Sequence, residues 1–179
     1  MADLRQLDPY YQARLWFTIG APGSGKSTWA GCMPHPVITT DALRGVGGEQ
    51  ENRQSAIREI YQWAFVEVLQ ALSHGRSVVL ETCGANLRIR REAIEMAKSC
   101  HSEVVAVVFQ ADLEACQEVQ KSRRHPVPRE QVEQMHRTIR GLTDERLLAE
   151  GFHQVLHIHR EQAPWDGPPE AQEAPRSHP

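Results

Sequence analysis

The chain has 179 residues, 40% of them hydrophobic and 24% charged, with a formal net charge of −3. That length accommodates one domain with a core of ordinary size, and the composition excludes a disordered or fibrous chain. The weak negative charge excludes a general electrostatic drive towards nucleic acid, so a polyanionic ligand would need a local cluster of Arg and Lys.

Residues 1–14 read as an N-terminal extension to a domain spanning 15–160. Leu15-Trp16-Phe17-Thr18-Ile19 is an apolar run that predicts a buried strand. Gly20-Ala21-Pro22-Gly23-Ser24-Gly25-Lys26-Ser27-Thr28 follows and fits G-x-x-x-x-G-K-[ST] at every fixed position, with Trp29-Ala30 opening a helix. Glycines let successive backbone N–H groups turn inward onto a polyphosphate, and the helix start adds positive partial charge. Gly23, Ser24, Gly25, Lys26, Ser27 and Thr28 are therefore the expected triphosphate cradle. Lys26 would reach the β- and γ-phosphates and Ser27 would ligate Mg²⁺.

Pro36–Thr40 predicts a second strand ending at Asp41. From about Glu51 to Leu72, Ala56, Ile60, Ala64, Val68 and Leu72 recur at helical spacing. Ile57, Tyr61 and Phe65 widen that stripe, so one face is expected to pack on a sheet. Ser77–Leu80 predicts the third strand, with Glu81-Thr82-Cys83-Gly84 as the loop leaving it. Arg90–Cys100 predicts a helix, and Glu103–Phe109, a β-branched run without alternation, predicts a strand covered on both faces. Asp112–Ser122 predicts a helix capped by Asp112. Pro126 and Pro128 break the segment Arg123–Pro128, Arg129–Leu148 predicts one further helix, and His153–Ile158 predicts the last strand after Gly151. The proline-rich stretch 161–179 reads as a disordered tail.

Strands alternating with helices predict a three-layer α/β/α sandwich with a five-stranded parallel sheet. Its phosphate site would lie at the carboxyl edge. No long apolar stretch predicts a membrane span or signal peptide, so a cytoplasmic protein is expected. Cys32, Cys83, Cys100 and Cys116 lack metal-ligand or redox spacing and read as free thiols. His153, His157 and His159 read as ordinary strand histidines rather than metal ligands.

Three segments narrow the chemistry. Asp41, at the carboxyl end of the second strand, can accept the proton of an attacking hydroxyl, and Arg44 can hold an anionic acceptor. Arg123 and Arg124, in the proline-broken segment, can form a cationic lid over the phosphates. Glu81 and Thr82 can meet Mg²⁺ through water or touch the acceptor. Arg88, with Arg90 and Arg91, forms the densest basic patch, placed to guide a phosphodiester backbone.

Together, Phe17–Ala30, Val37–Gly45, Glu118–Arg123 and Glu150–Val155 resemble the polynucleotide 5′-hydroxyl kinases, of the phage type and of bacterial RNA-repair proteins. The resemblance implies a helical lid and a strand order of 2-3-1-4-5. It also implies an ATP- and Mg²⁺-dependent kinase with Lys26, Asp41 and Arg123 catalytic, whose partner is the 5′-OH end of RNA or DNA held by Arg44. The chain departs from that family at Glu81-Thr82-Cys83-Gly84, where Asp-Thr-Asn is usual, and at Val119-Gln120, where Arg-Asn is usual. A small-molecule kinase acting on a sugar, nucleoside or nucleotide-sugar remains an alternative, as does a nucleotide-dependent switch without an acceptor. Against the switch, the sequence has no N-K-x-D and no hhhhD strand of AAA type.

Overall fold

Five apolar runs pair side by side, all parallel, in a computed structural model that describes residues 12–40 and 50–159, with backbone alone for 50–56. The strands are β1 (Arg14–Ile19), β2 (Val37–Thr39), β3 (Val78–Glu81), β4 (Glu103–Gln110) and β5 (Gln154–His159). Their order in the sheet is β2-β3-β1-β4-β5, as the resemblance implied. Between them run α1 (Lys26–Gly31), α2 (Gln50–Ser73), α3 (Leu87–Ser99), α4 (Leu113–Lys121), α5 (Arg129–Arg140) and α6 (Asp144–Glu150). Of the expected N-terminal extension residues 12–14 are described, and Arg14 already belongs to β1. The expected tail lies outside the described residues.

Every residue of β4 from Val104 to Phe109 is buried, because alternate side chains enter two different clusters. On one face Leu15, Phe17, Ile19, Val78, Leu80, Val104, Ala106 and Val108 pack with Ala64, Val68 and Leu72 of α2 and with Ala93, Ile94 and Ala97 of α3. On the other, Trp16, Val79, Val105, Val107 and Phe109 pack with Trp29 and Ala30 of α1 and with Met33. Burial on both faces is what a continuous β-branched run requires, and it makes β1 and β4 the centre of the molecule. Trp29 meets Phe109 edge-on at 5.7 Å and Trp16 at 6.4 Å, so the first turn after the glycine loop rests on an aromatic floor.

Two expectations need correction. The single helix expected over Arg129–Leu148 is two helices, parted at Gly141–Thr143. Thr143 caps α6 by accepting a hydrogen bond from Arg146 N. Ile57, Tyr61 and Phe65 do not share the burial of Ala64, Val68 and Leu72; they line a cavity instead. Turned the other way, Trp63, Val66 and Leu69 of α2 are exposed.

Among the described residues, one ion pair is buried. Arg90 of α3, 1% exposed, grips Glu150 at the end of α6 through Nε–Oε2 (2.6 Å) and Nη2–Oε1 (2.9 Å). Such a pair contributes modestly when whole, but removing one partner strands a charge in the interior. Burial pushes the Glu150 carboxyl up, yet the hydrogen bonds and charges of Arg90 and Arg146 outweigh it and hold the group below its ordinary value. Glu150→Ala should lower the unfolding free energy by about 3–5 kcal/mol in urea titrations near neutral pH. Since the folded value lies below the unfolded one, the pair's contribution is complete above about pH 4.3 and fades as pH falls through the folded value. Wild-type protein should therefore lose stability on acidification more steeply than Glu150→Gln.

Candidate active site

The glycine loop leaves β1 at the carboxyl edge of the sheet. Gly20 N donates to Cys83 O (3.0 Å) and Ser24 N to Ala21 O (3.1 Å), which fixes both ends of the turn. Gly23 and Gly25 take φ of 93° and 102°, a region that favours glycine. A Cβ on Gly23 would also stand 2.5 Å from the Cys116 carbonyl oxygen, so the loop lies directly against α4. Lys26, 4% exposed, folds over the loop and donates from Nζ to Gly20 O and Ala21 O, each at 2.9 Å. Ser24 Oγ is buried with no partner among the described residues, an unanswered polar atom inside the loop. Ser27 and Thr28 are exposed at the start of α1. This arrangement fits a polyphosphate, whose oxygens would take over the ammonium contacts now made by carbonyls and would meet Ser24.

Beside the loop, Ser27 Oγ donates to Glu81 Oε1 at 2.5 Å. A serine hydroxyl and a carboxylate side by side are the hard oxygen donors that Mg²⁺ prefers, so the residues present fit that ion. The sequence shows no hhhhD strand, yet Ser77–Leu80 followed by Glu81 places a carboxylate at the corresponding strand end, because parallel pairing with β1 brings the end of β3 to the loop. Thr82 is fixed on two sides. Its backbone N–H donates to Thr18 Oγ1 (2.9 Å), the Thr18 hydroxyl donates to Thr82 O (2.8 Å), and Thr82 Oγ1 is hydrogen-bonded to Tyr61 OH (2.8 Å). Burial pushes the Tyr61 phenol up, with the Thr82 hydrogen bond opposing it, so the ring stays neutral.

Lys26, Glu81, Thr82 and Tyr61 face a cavity of about 620 Å³. Its walls come from the glycine loop, the exit of β3, α2, the start of α3, and the irregular segment between α4 and α5. Ile57, Phe65, Ile89, Val127 and Met135 make it largely apolar, while Arg58, Arg88 and Glu92 add charge. The proline-broken segment is thus a wall of the cavity through Pro126, Val127 and Pro128, braced by Val127 N donating to the buried Gln120 Oε1 (3.1 Å). Arg123 is half-buried and its Nη1 is enclosed without a partner among the described residues; Arg124 is exposed.

Asp41 and Arg44 lie outside the described residues; Thr40, which precedes them, lines the cavity and donates from N to Glu81 O at 3.1 Å. The basic patch expected over Arg88–Arg91 is not one surface. Arg88 is exposed and paired with Glu92, whereas Arg90 is interior and committed to Glu150, so it cannot meet a phosphodiester. Tyr61, hydrogen-bonded to Thr82 at the cavity wall, was not singled out from the sequence as a site residue, and neither was the pairing of Arg90 with Glu150. The signal for Tyr61 was an apolar stripe on α2 wider than sheet packing needs. His157 spans Asp144 and Gln110, and no group of three metal-ligating side chains occurs among the described residues. No disulfide joins any of Cys32, Cys83, Cys100 and Cys116. Among the described residues no helix is long and apolar enough to cross a membrane.

The parallel sheet and its strand order match the α/β fold of the P-loop kinases. A family model described as an AAA domain matches residues 15–142, well over half of the chain, and the chain belongs to that family. Among solved structures it is similar to a putative kinase from Chloroflexus aurantiacus, at 15% identity and a TM-score of 0.63 over 83% of this chain and 88% of that one. It is also similar to a chain of the Pnkp1/Rnl/Hen1 RNA repair complex, at 16% identity and 0.60 over 75% of this chain and 46% of that one. A gluconokinase from Sinorhizobium meliloti gives 18% identity and 0.52 over 83% of each chain. No curated protein sequence matches. Likeness at such identities concerns the fold.

Gly23→Ala tests the cradle. The added methyl would meet backbone at 2.5 Å in a conformation unsuited to alanine. ATP affinity measured by calorimetry should fall at least about tenfold, and stability by about 1–3 kcal/mol.

Proposed function

We propose that the chain is an ATP-dependent kinase that transfers the γ-phosphate to the 5′-hydroxyl of a polynucleotide. The observation that carries the reading is the cavity opening onto Lys26 and onto Glu81, the hydrogen-bond partner of Ser27, which offers an acceptor a place beside the triphosphate cradle. The resemblance of Val37–Gly45 to the segment bearing that family's base and acceptor-binding arginine supplies the acceptor class. Gly23–Thr28 hold the triphosphate, with Arg123 and Arg124 closing over it, and Lys26 neutralises charge on the transferring group. Ser27, with Glu81 behind it, would hold Mg²⁺, which supplies charge neutralisation on the phosphate oxygens when bound. The acceptor oxygen bonds to the γ-phosphorus as the bond to the β–γ bridging oxygen breaks. The hydroxyl proton passes to Asp41, and ADP leaves. Arg44 and Arg88 hold the acceptor's phosphates, and Thr82 its sugar end.

A second reading is a small-molecule acceptor. It is favoured by the apolar walls of the cavity and by the loss of Arg90 from the cationic surface. Incubation with γ-labelled ATP and a panel of 5′-OH oligoribonucleotides, 5′-OH oligodeoxyribonucleotides, nucleosides and sugars separates the two. Label should appear on oligonucleotides, and exclusive labelling of small acceptors would replace the first reading with the second. Asp41→Ala should lower kcat by about 10²-fold or more with ATP affinity nearly unchanged. Full transfer by that variant would remove Asp41 from the base role.

A further inference from the structure

The connection from β3 to α3 delivers Glu81, Thr82 and Cys83 to the site, and it runs through the interior. Gly84 takes φ 66°, and a Cβ there would stand 2.7 Å from Thr18 O and 2.9 Å from Ile19, so the chain passes edge-on against β1. On the β1 side the loop is held by the Thr18–Thr82 exchange and by Gly20 N donating to Cys83 O. On the far side the carbonyls of Gly84 and Ala85 need a donor. Arg90 Nη1 supplies it, at 2.8 Å and 3.1 Å. The other two nitrogens of the same guanidinium are engaged by the Glu150 carboxylate. A planar fork fixed by a carboxylate has one remaining edge, and that edge is spent wholly on the loop.

We propose that Arg90, oriented by Glu150, is a positioning residue for the site. By clamping Gly84 and Ala85 it sets the backbone of residues 81–83, and through them the reach of the Glu81 carboxylate to Ser27 and the hold of Cys83 O on Gly20. Arg90 does not itself line the cavity. The polar partners around this guanidinium come from the β3–α3 loop and from α6, with Arg146 beside Glu150 at 3.4 Å. A residue that merely stabilised the packing of α3 on α6 would affect unfolding and leave the loop unchanged. Loss of a clamp loosens the loop even in a protein that remains folded.

The inference rests on the proposed metal and nucleotide site for one of its two readouts only. The double variant Arg90→Met/Glu150→Gln removes both charges together and avoids a stranded ion, so it is the variant expected to stay folded. In ligand-free protein, amide hydrogen exchange at Gly20 and Thr82 should accelerate about tenfold or more, while exchange within β4 and β5 stays as in wild type. With ATP present, the Mg²⁺ concentration for half-maximal binding should rise about tenfold or more, and metal-free ATP affinity should change far less. Arg90→Lys, which lacks the fork, should reproduce both effects. Arg14→Gln breaks the half-exposed Arg14–Glu103 pair on the same sheet and should show neither. Wild-type exchange at Gly20 and Thr82 in folded Arg90→Lys or in the double variant overturns the clamp. Faster exchange with unchanged Mg²⁺ dependence confines Arg90 to the loop and overturns its role in the site. If wild-type protein binds no nucleotide, the proposed function fails, and the exchange readout still decides whether Arg90 holds the loop.

Discussion

The site depends on β1 and β3 lying side by side and ending together. Leu15 pairs with Val78 and Phe17 with Leu80, so the two chains leave the sheet at one level. There the fully buried Thr18 hydroxyl both donates to and accepts from the backbone of Thr82, continuing the pairing by one side-chain step. A buried peptide group needs such partners, and a residue without a hydroxyl at position 18 would leave two of them unmet. From that staple the rest follows by connectivity. Cys83 reaches back to Gly20, Glu81 comes within hydrogen-bond distance of Ser27, and the glycine loop is pinned at its origin while its middle rests on α4.

The fold was legible because its cause is local and repeated. Short β-branched runs between helical patterns force a covered parallel sheet, and the glycine loop fixes which strand is central. The split of Arg129–Leu148 was harder to read, since Val132, Ile139 and Leu147 keep an apolar pattern across the break. The visible sign was Gly141-Leu142-Thr143, where a glycine is followed by a capping threonine, ahead of the acidic first turn Asp144-Glu145.

The site was legible only in part. Lys26 and Ser27 follow from a motif contained in eight consecutive residues, Gly20 to Ser27. Glu81 was visible as a carboxylate at a strand end, but its placement beside Ser27 depends on which strand neighbours β1, a fact no local pattern contains. Arg90 illustrates the opposite failure. Next to Arg88 and Arg91 it looks like one member of a surface patch, yet helical rotation turns it inward to a carboxylate sixty positions away. On α2, apolar residues occupy three directions: Ala64, Val68 and Leu72 towards the sheet, Ile57, Tyr61 and Phe65 towards the cavity, and Trp63, Val66 and Leu69 towards solvent. A single stripe was expected because only the first of these directions is demanded by the core.

The aromatic floor beneath the glycine loop has an optical consequence. Of the chain's four tryptophans, Trp29 stands three positions after Lys26 and is wedged between Trp16 and Phe109, with His35 lying nearly parallel to Trp16. Indole emission is sensitive to neighbouring rings and to small rotations of its surroundings. A rearrangement that drew Lys26 away from the loop carbonyls would pull on the same helical turn, so occupancy of the cradle is expected to alter the protein's own ultraviolet fluorescence without an added label.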